Sequence, residues 1–244
     1  MIRLYKQGDY VTMNSYRNDI VFKILFLENN IAILKGVDVR LCATANISDL
    51  KPHEMIRSAD EFDKLPVANG NFLNGKVLHL DSDNEYLKRS MKLYEQYKVP
   101  SVGYRYDEYQ MPNVLLDLLK KHHPDILIIT GHDAIDKKGE NVNTSYFVNC
   151  VKIARTYQPS KDALCIISGA CYSSFKDLIY EGSNISSSPG KVSINVLDPA
   201  KVAIMIATTP VMEYVDINKV INLTSNKEKG MGGIDTKGLA RKIY

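Results

Sequence analysis

From residue 76 onward, short apolar segments alternate with amphipathic segments at helical spacing, and this alternation limits the fold more than any other sequence feature. The segments KVLHLD (76–81), DILIIT (125–130) and ALCIIS (163–168) have the length and composition of buried strands. Further strands are predicted at 99–105, 193–197 and 201–209. Helices are predicted from a cap at Asp83 to about residue 97, and at 112–123, 144–157 and 174–181. Such alternation predicts an α/β fold, in which helices cover both faces of a mostly parallel sheet.

The first 55 residues follow a different pattern, in which apolar and polar residues alternate and turn signals fall at Asn14–Asn18 and Asn29–Asn30. This pattern predicts a small antiparallel β-barrel, SH3-like or KOW-like, of four or five short strands. The predicted organisation is therefore a barrel at 1–55, a connector rich in Pro, Gly and Asn/Asp at 56–75, and an α/β domain at 76–244.

Composition limits the kinds of molecule that the chain is expected to bind. The net charge of +3, from 31 basic and 28 acidic side chains, is too small to favour a nucleic-acid ligand. An RNA-binding barrel is a weaker alternative, because acidic residues match its basic ones. The sequence has no apolar run of roughly 20 residues and no apolar signal core at its start, so we expect a cytoplasmic protein without a membrane partner. The four cysteines form no CxxC pair and lie at no zinc-like spacing from histidine, so neither metal nor cofactor is expected.

The chemistry is predicted at the ends of two apolar strands. DILIIT runs directly into Gly131 and His132, and ALCIIS runs into Gly169, Ala170 and Cys171. Functional residues of open parallel sheets lie just beyond the carboxyl ends of strands, and consecutive strands are usually neighbours. We therefore expect His132 and Cys171 to lie close together. A thiol of pKa ~8.5 needs a nearby imidazole or helix N-terminus to become a thiolate at neutral pH.

These two residues predict a cysteine nucleophile, Cys171, with His132 as its acid–base partner. The backbone N–H groups of Cys171 and of Asp133, in the turn after His132, are candidates for an oxyanion hole. The structural alternative is that Cys171 is a small buried hydrophobe and His132 is an ordinary strand-end residue. Among the other cysteines, Cys165 and Cys150 are predicted to be core residues, and Cys42 belongs to the barrel.

The order of the residues separates rival enzyme classes. Class I glutamine amidotransferases and α/β-hydrolases place the nucleophile before the histidine. Here the histidine comes first, which is the order of the caspase, legumain and clostripain clan. That clan usually has glycine after the histidine, whereas this chain has Asp133. The Asp133 side chain is predicted either to cap the turn or to hold a basic substrate side chain.

The sequence also resembles the YabG family of sporulation-specific cysteine peptidases of spore-forming Firmicutes. The motifs are GDYVTMNSYRNDIVFKI, KVLHLDSD, PDILIITGHD, SGACYSSF and KGMGGIDTKGLARKIY. The resemblance implies a caspase-like domain of flavodoxin-like strand order. It also implies a protease of the mother cell and forming spore coat, with His132 and Cys171 as its catalytic pair. Its implied substrates are spore coat and cortex proteins and the chain itself.

Cleavage after arginine is a further implication of the resemblance. It would need an acidic pocket, for which Asp133, Asp177 and Glu181 are candidates. The alternative function is a non-catalytic scaffold or binding module in spore coat assembly.

Overall fold

In this computed structural model, residues 5–54, 65–66, 71–133 and 139–244 are described. The chain divides into two units, residues 1–62 and 63–244. Most of the predicted connector at 56–75 lies outside the described residues. Its last part forms a short strand that pairs with the end of the larger unit.

Within the described residues, the first unit forms a five-stranded antiparallel sheet of order β4-β3-β2-β1-β5. The strands are β1 (Tyr10–Met13), β2 (Phe22–Glu28), β3 (Ile31–Gly36), β4 (Cys42–Asn46) and β5 (Leu50–Pro52). Asn29 and Asn30 both have positive φ and join β2 to β3, as a tight two-residue hairpin requires. The antiparallel sheet is confirmed, and its SH3-like or KOW-like identity stays a prediction.

The second unit is built on a six-stranded sheet, counted over the described residues, of order β12-β11-β10-β9-β7-β8. Its strands are β7 (Val77–Asp81), β8 (Ser101–Arg105), β9 (Ile126–Thr130), β10 (Cys165–Ser168), β11 (Ile185–Ser187) and β12 (Met231–Gly233). All neighbours are parallel except β11 and β12. A separate pair joins β6 (Phe72–Leu73) to β13 (Arg241–Lys242).

The first five strands of this sheet, β7 to β11, take the order 2-1-3-4-5, which is the flavodoxin-like order of doubly wound folds. The mostly parallel sheet predicted from the sequence is therefore confirmed, while a specifically caspase-like fold stays a prediction. The order of the sheet reverses between β7 and β9, which is where doubly wound folds form a crevice at the carboxyl ends of strands.

Helices flank the sheet. They are α1 (Asn84–Gln96), α2 (Met111–His122), α3 (Thr144–Tyr157), α4 (Phe175–Glu181), α5 (Asp198–Thr208), α6 (Ile217–Asn222) and α7 (Lys227–Gly230). Helices α2, α3 and α4 share a buried apolar cluster with alternate residues of β7 and β9. Helices α1 and α5 pack against each other and against the same sheet. Among the described residues, no helix is both long and apolar enough to cross a membrane.

Two strand predictions are wrong. The run 201–209 lies almost entirely in α5, whose residues are buried nearly all round. A helix buried on every side has no polar face, so its apolar run resembles a buried strand. The segment 193–197 lies outside the strands because side chains bind its backbone. Ile194 N–H donates to Cys171 Sγ, and Asn195 N–H donates to Asp198.

Candidate functional site

The strand register brings three chain segments to one edge of the sheet. Ser168 at the end of β10 pairs with Ile129 of β9, and Thr130 at the end of β9 pairs with Asp81 at the end of β7. The residues that follow these strands therefore start from the same edge. They include Cys171 after β10, His132 after β9 and Asp83 after β7.

The backbone of His132 is held from two sides. Its N–H donates to Glu108 Oε1 at 2.7 Å, and its carbonyl accepts a hydrogen bond from Asn143 Nδ2 at 2.8 Å. A Cβ on Gly131 would lie 2.6 Å from both Glu108 Oε1 and Ser82 Oγ, so this approach of Glu108 requires glycine before the histidine.

The His132 side chain lies between two groups of the β7–α1 segment. Its Nε2 lies 3.5 Å from Asp83 Oδ2, and its ring centroid lies 5.8 Å from that of Tyr86. The His132 side chain is 27% exposed, whereas the Asp83 side chain is 9% exposed. The imidazole thus keeps access to solvent while one ring nitrogen faces a carboxylate.

Asp133 links the His132 turn to the Cys171 turn. Its carboxylate accepts hydrogen bonds from Asn143 N–H at 2.8 Å, from Thr144 Oγ1, and from Ser173 Oγ at 2.9 Å. Ser173 Oγ in turn accepts the N–H of Ala170 at 3.0 Å. A carboxylate with three donors has its acceptor sites largely engaged. This geometry favours the turn-capping interpretation of the Asp133 side chain over direct substrate contact.

Cys171 lies in a constrained turn. Gly169 and Tyr172 on either side have φ of 96° and 62°, and Tyr172 N–H donates to Ser188 Oγ at 3.1 Å. The Cys171 residue is 0% exposed, and its Sγ accepts the N–H of Ile194 at 3.2 Å. The segment around Ile194 also covers the sulfur.

The acidic candidates on α4 lie in different settings. Asp177 lines a cavity of about 570 Å³ together with Glu140, Asn141 and Thr144. This cavity adjoins the Cys171 turn, because Asn141 Nδ2 donates to the Tyr172 carbonyl and Ser174 N–H donates to Thr144 Oγ1. Glu181 at the end of the helix lies 3.6 Å from Lys152 Nζ.

The remaining cysteines are placed as predicted. Cys150 and Cys165 are buried, and Cys42 is exposed on β4. Burial raises the pKa of the Cys165 thiol to about 12 and raises the pKa of Cys150 further. Neither thiol is therefore reactive at neutral pH. Over the described part of the chain, no cluster of three or more His, Cys, Asp or Glu side chains has metal-binding geometry.

Sequence reasoning missed two carboxylates of this site. Asp83 follows β7 as His132 follows β9, so the strand-end rule could have identified it, but its role as the cap of α1 already explained it. Glu108 carries no such signal, because it lies in the loop before α2 and binds a backbone N–H.

Comparisons with known proteins define the class. The family model described as "YabG peptidase U57" matches residues 6–68 and 67–244. The sporulation-specific protease YabG of Bacillus subtilis (strain 168) is 35% identical over 284 residues, covering 97% of this chain and 97% of that protein. No solved structure matches the chain. The class is thus a peptidase of sporulation, and the chain belongs to the YabG peptidase U57 family.

Proposed function

We propose that this chain is a cysteine endopeptidase in which Cys171 attacks the substrate and His132 carries the proton. The observation that supports this most is a chain of two hydrogen bonds, from Ala170 N–H to Ser173 Oγ and from Ser173 Oγ to the Asp133 carboxylate. It connects the turn of His132 to that of Cys171. The turns follow neighbouring parallel strands, so a nucleophile and its base are joined at one edge of the sheet.

The proposed reaction has two steps. In the first, His132 takes the Cys171 proton, the thiolate attacks the peptide carbonyl carbon, and the C–N bond breaks as the imidazolium protonates the leaving amine. In the second, water attacks the thioester, its proton passes to His132, and the acid leaves as the thiol is restored. The N–H groups of Cys171 and Asp133 remain our candidates for holding the oxyanion.

Access of the substrate requires a movement in this scheme. Ile194 N–H binds Cys171 Sγ, and Ser188 and Ser193 bond to Tyr172 beside it. A peptide carbonyl must approach the sulfur to react, so the segment around Ile194 has to move away in the active state.

We further propose that the substrates are spore coat and cortex proteins, and the chain itself, cleaved in the mother cell and forming coat after arginine. Asp177 is the residue that we favour for binding the arginine. It lines the cavity beside the Cys171 turn together with Glu140, and Lys152, which also lines this cavity, pairs with Glu181 at 3.6 Å. Glu181 is a weaker candidate because of this pairing, and the Asp133 carboxylate is engaged by three donors.

Cleavage of an arginine-containing spore coat protein tests the catalytic pair. We expect Cys171→Ala and His132→Ala each to abolish cleavage, with circular dichroism unchanged. The matched controls are Cys42→Ala and His53→Ala, which alter an exposed cysteine and an exposed histidine of the first unit. These controls should cleave like the wild type. Retained cleavage by Cys171→Ala would overturn the proposal.

The complete burial of Cys171 favours one second candidate, a non-catalytic module that binds coat proteins. Such a module would bind the coat protein without cutting it, and its binding would be the same in Cys171→Ala. Cleavage that depends on Cys171 excludes this candidate.

A further inference from the structure

Asp83 stands at the place where the order of the sheet reverses. Asp81 of β7 pairs with Thr130 of β9, and Ser82 N–H extends this contact by donating to the Thr130 carbonyl at 3.3 Å. Asp83 and His132 each lie two residues beyond this pair. Doubly wound sheets bind ligands in the crevice at this point, so a carboxylate here lies where chemistry is expected.

The Asp83 side chain has one oxygen for the helix and one facing the imidazole. Its Oδ1 caps α1 by accepting the N–H groups of Glu85 at 2.9 Å and Tyr86 at 3.1 Å. Its Oδ2 lies 3.5 Å from His132 Nε2. Because the cap fixes the carboxylate on a rigid helix end, the second oxygen has a defined position.

A buried group supports Asp83 from below. The N–H of Asp83 donates to Asp81 Oδ1 at 2.9 Å, and Asp81 is fully buried. Asp81 Oδ2 lies 3.7 Å from Nε2 of the buried His79, whose Nδ1 lies 3.0 Å from Tyr94 Oη. The backbone that carries Asp83 is therefore anchored in the core.

We propose that Asp83 is a positioning residue for His132. The proposal rests on the proposed cysteine peptidase function. Asp83 holds the proton on Nε2 and stabilises the imidazolium, so that Nδ1 is the nitrogen that exchanges a proton with Cys171 and the leaving amine. A third group that fixes the tautomer and orientation of a catalytic imidazole is the general logic of nucleophile–base pairs.

Other ionisable groups lie near the His132 imidazole, and their contacts differ from that of Asp83. Tyr86 of α1 packs on the ring, Glu108 binds the backbone N–H of His132, and Asp133 is the next residue. Cys171 is the proposed partner. Glu108 and Asp133 bind backbone N–H groups and hydroxyls, whereas an oxygen of the Asp83 carboxylate lies against a ring nitrogen of His132.

The test variant is Asp83→Asn, which keeps an oxygen for the helix cap and removes the charge. We expect kcat to fall by about tenfold or more, because acid–base catalysis is weakened, while KM changes little. Without the carboxylate the imidazolium is less stable, so the basic limb of the kcat/KM pH profile should move to lower pH. The matched control is Asp216→Asn, which alters the aspartate that caps α6. It should leave kcat and the pH profile unchanged.

Wild-type kcat and an unmoved basic limb in folded Asp83→Asn would overturn the inference. If Asp83→Asn lowers the melting temperature, Asp83→Ser replaces it, because serine also caps helices without a charge. Cys171→Ala is assayed in parallel. Activity in that variant contradicts the proposed function, whereas an inactive Cys171→Ala beside an unaffected Asp83→Asn contradicts only the role of Asp83.

Discussion

The turns that carry His132 and Cys171 differ in access. The His132 side chain is 27% exposed, whereas Cys171 is 0% exposed. Carboxylates and an amide hold the histidine turn, and a covering segment that contains Ile194 holds the cysteine turn. The difference separates two requirements of the proposed enzyme, because a base can be set in place while the nucleophile is still covered. Activity then depends on the Asp133–Ser173 hydrogen bond, which links the two turns, and on movement of the segment around Ile194, which covers Cys171.

Removing the Asp133 carboxylate, which links the two turns, should have the largest effect on stability and on cleavage. Asp133→Ala leaves three donors, Asn143 N–H and the hydroxyls of Thr144 and Ser173, without their acceptor. Each buried unsatisfied group costs about 1 kcal/mol or more, so we expect the free energy of unfolding to fall by about 3 kcal/mol. Cleavage should fall by about 100-fold or more, because misplacement of about 1 Å has such an effect.

Denaturant unfolding and steady-state kinetics measure these two losses. The control is Asp162→Ala, which removes an exposed partner of Lys237 and should change stability by less than about 1 kcal/mol. Equal stability of Asp133→Ala and the control would show that Asp133 does not link the turns.

The covering segment can be probed through Asp198, which accepts the N–H groups of Asn195 and Ser225. Burial raises the pKa of Asp198 to about 6, from an ordinary value of 3.8, although these N–H groups and Lys201 oppose the rise. The folded state thus binds this proton more tightly than the unfolded state. Its stabilising contribution is complete below pH 3.8 and is lost as the pH rises through about 6.

The difference between the Asp198 pKa of about 6 in the folded state and its ordinary value of 3.8 corresponds to about 3 kcal/mol, at roughly 1.36 kcal/mol per pKa unit. We therefore expect Asp198→Asn to gain about that much stability relative to wild type between pH 4 and pH 7, as measured by denaturant unfolding. A difference between the two proteins that stays constant across this range would contradict the assignment.

The cavity beside the Cys171 turn leads to a further prediction, with a smaller expected effect, which concerns kcat/KM for substrates with arginine. We expect Asp177→Asn to lower kcat/KM about tenfold for a peptide with arginine before the cleaved bond, because one charge-assisted contact is lost. The same peptide with glutamine should show no such loss. Glu181→Gln, which alters the carboxylate paired with Lys152, is the control and should change kcat/KM less than twofold. Equal losses for both peptides would rule Asp177 out of arginine binding.

Much of the larger unit could be predicted because its elements are long or strongly patterned. The predictions for β7, β9 and β10, and for α1 to α4, agree with the structure to within about two residues at most ends, the usual accuracy of element boundaries. Asp83 caps α1 as its sequence position indicates. Short strands were missed, because Ile185–Ser187 and Met231–Gly233 are serine- or glycine-rich and show no apolar alternation. Helix α5 was missed because residues 202–207 are all apolar and so show no helical alternation of apolar and polar side chains.

Some residues of the candidate site could be predicted from the sequence, and some of its contacts could not. His132 and Cys171 could be identified from strand ends, because the carboxyl edge of a parallel sheet is a general feature. The cover over Cys171 could not, because Ile194 meets the sulfur through a backbone N–H, which carries no residue-specific signal. The Asp133–Ser173 contact also escapes sequence patterns, since 40 positions separate its two members.

Alkylation of Cys171 tests the central claim most directly. In a Cys42→Ser background, Cys150 and Cys165 stay unreactive because burial raises the pKa of both thiols. Because the segment around Ile194 has to move before a reagent reaches the sulfur, the reaction is carried out on protein that cleaves the coat substrate. We predict that iodoacetamide then modifies Cys171 selectively near pH 6.5, identified by mass spectrometry, and that His132→Ala removes this reaction by removing the partner of the thiolate. In protein that cleaves, a Cys171 that resists iodoacetamide until the pH exceeds about 8.5, or that reacts equally in His132→Ala prepared in the same way, would contradict the catalytic pair.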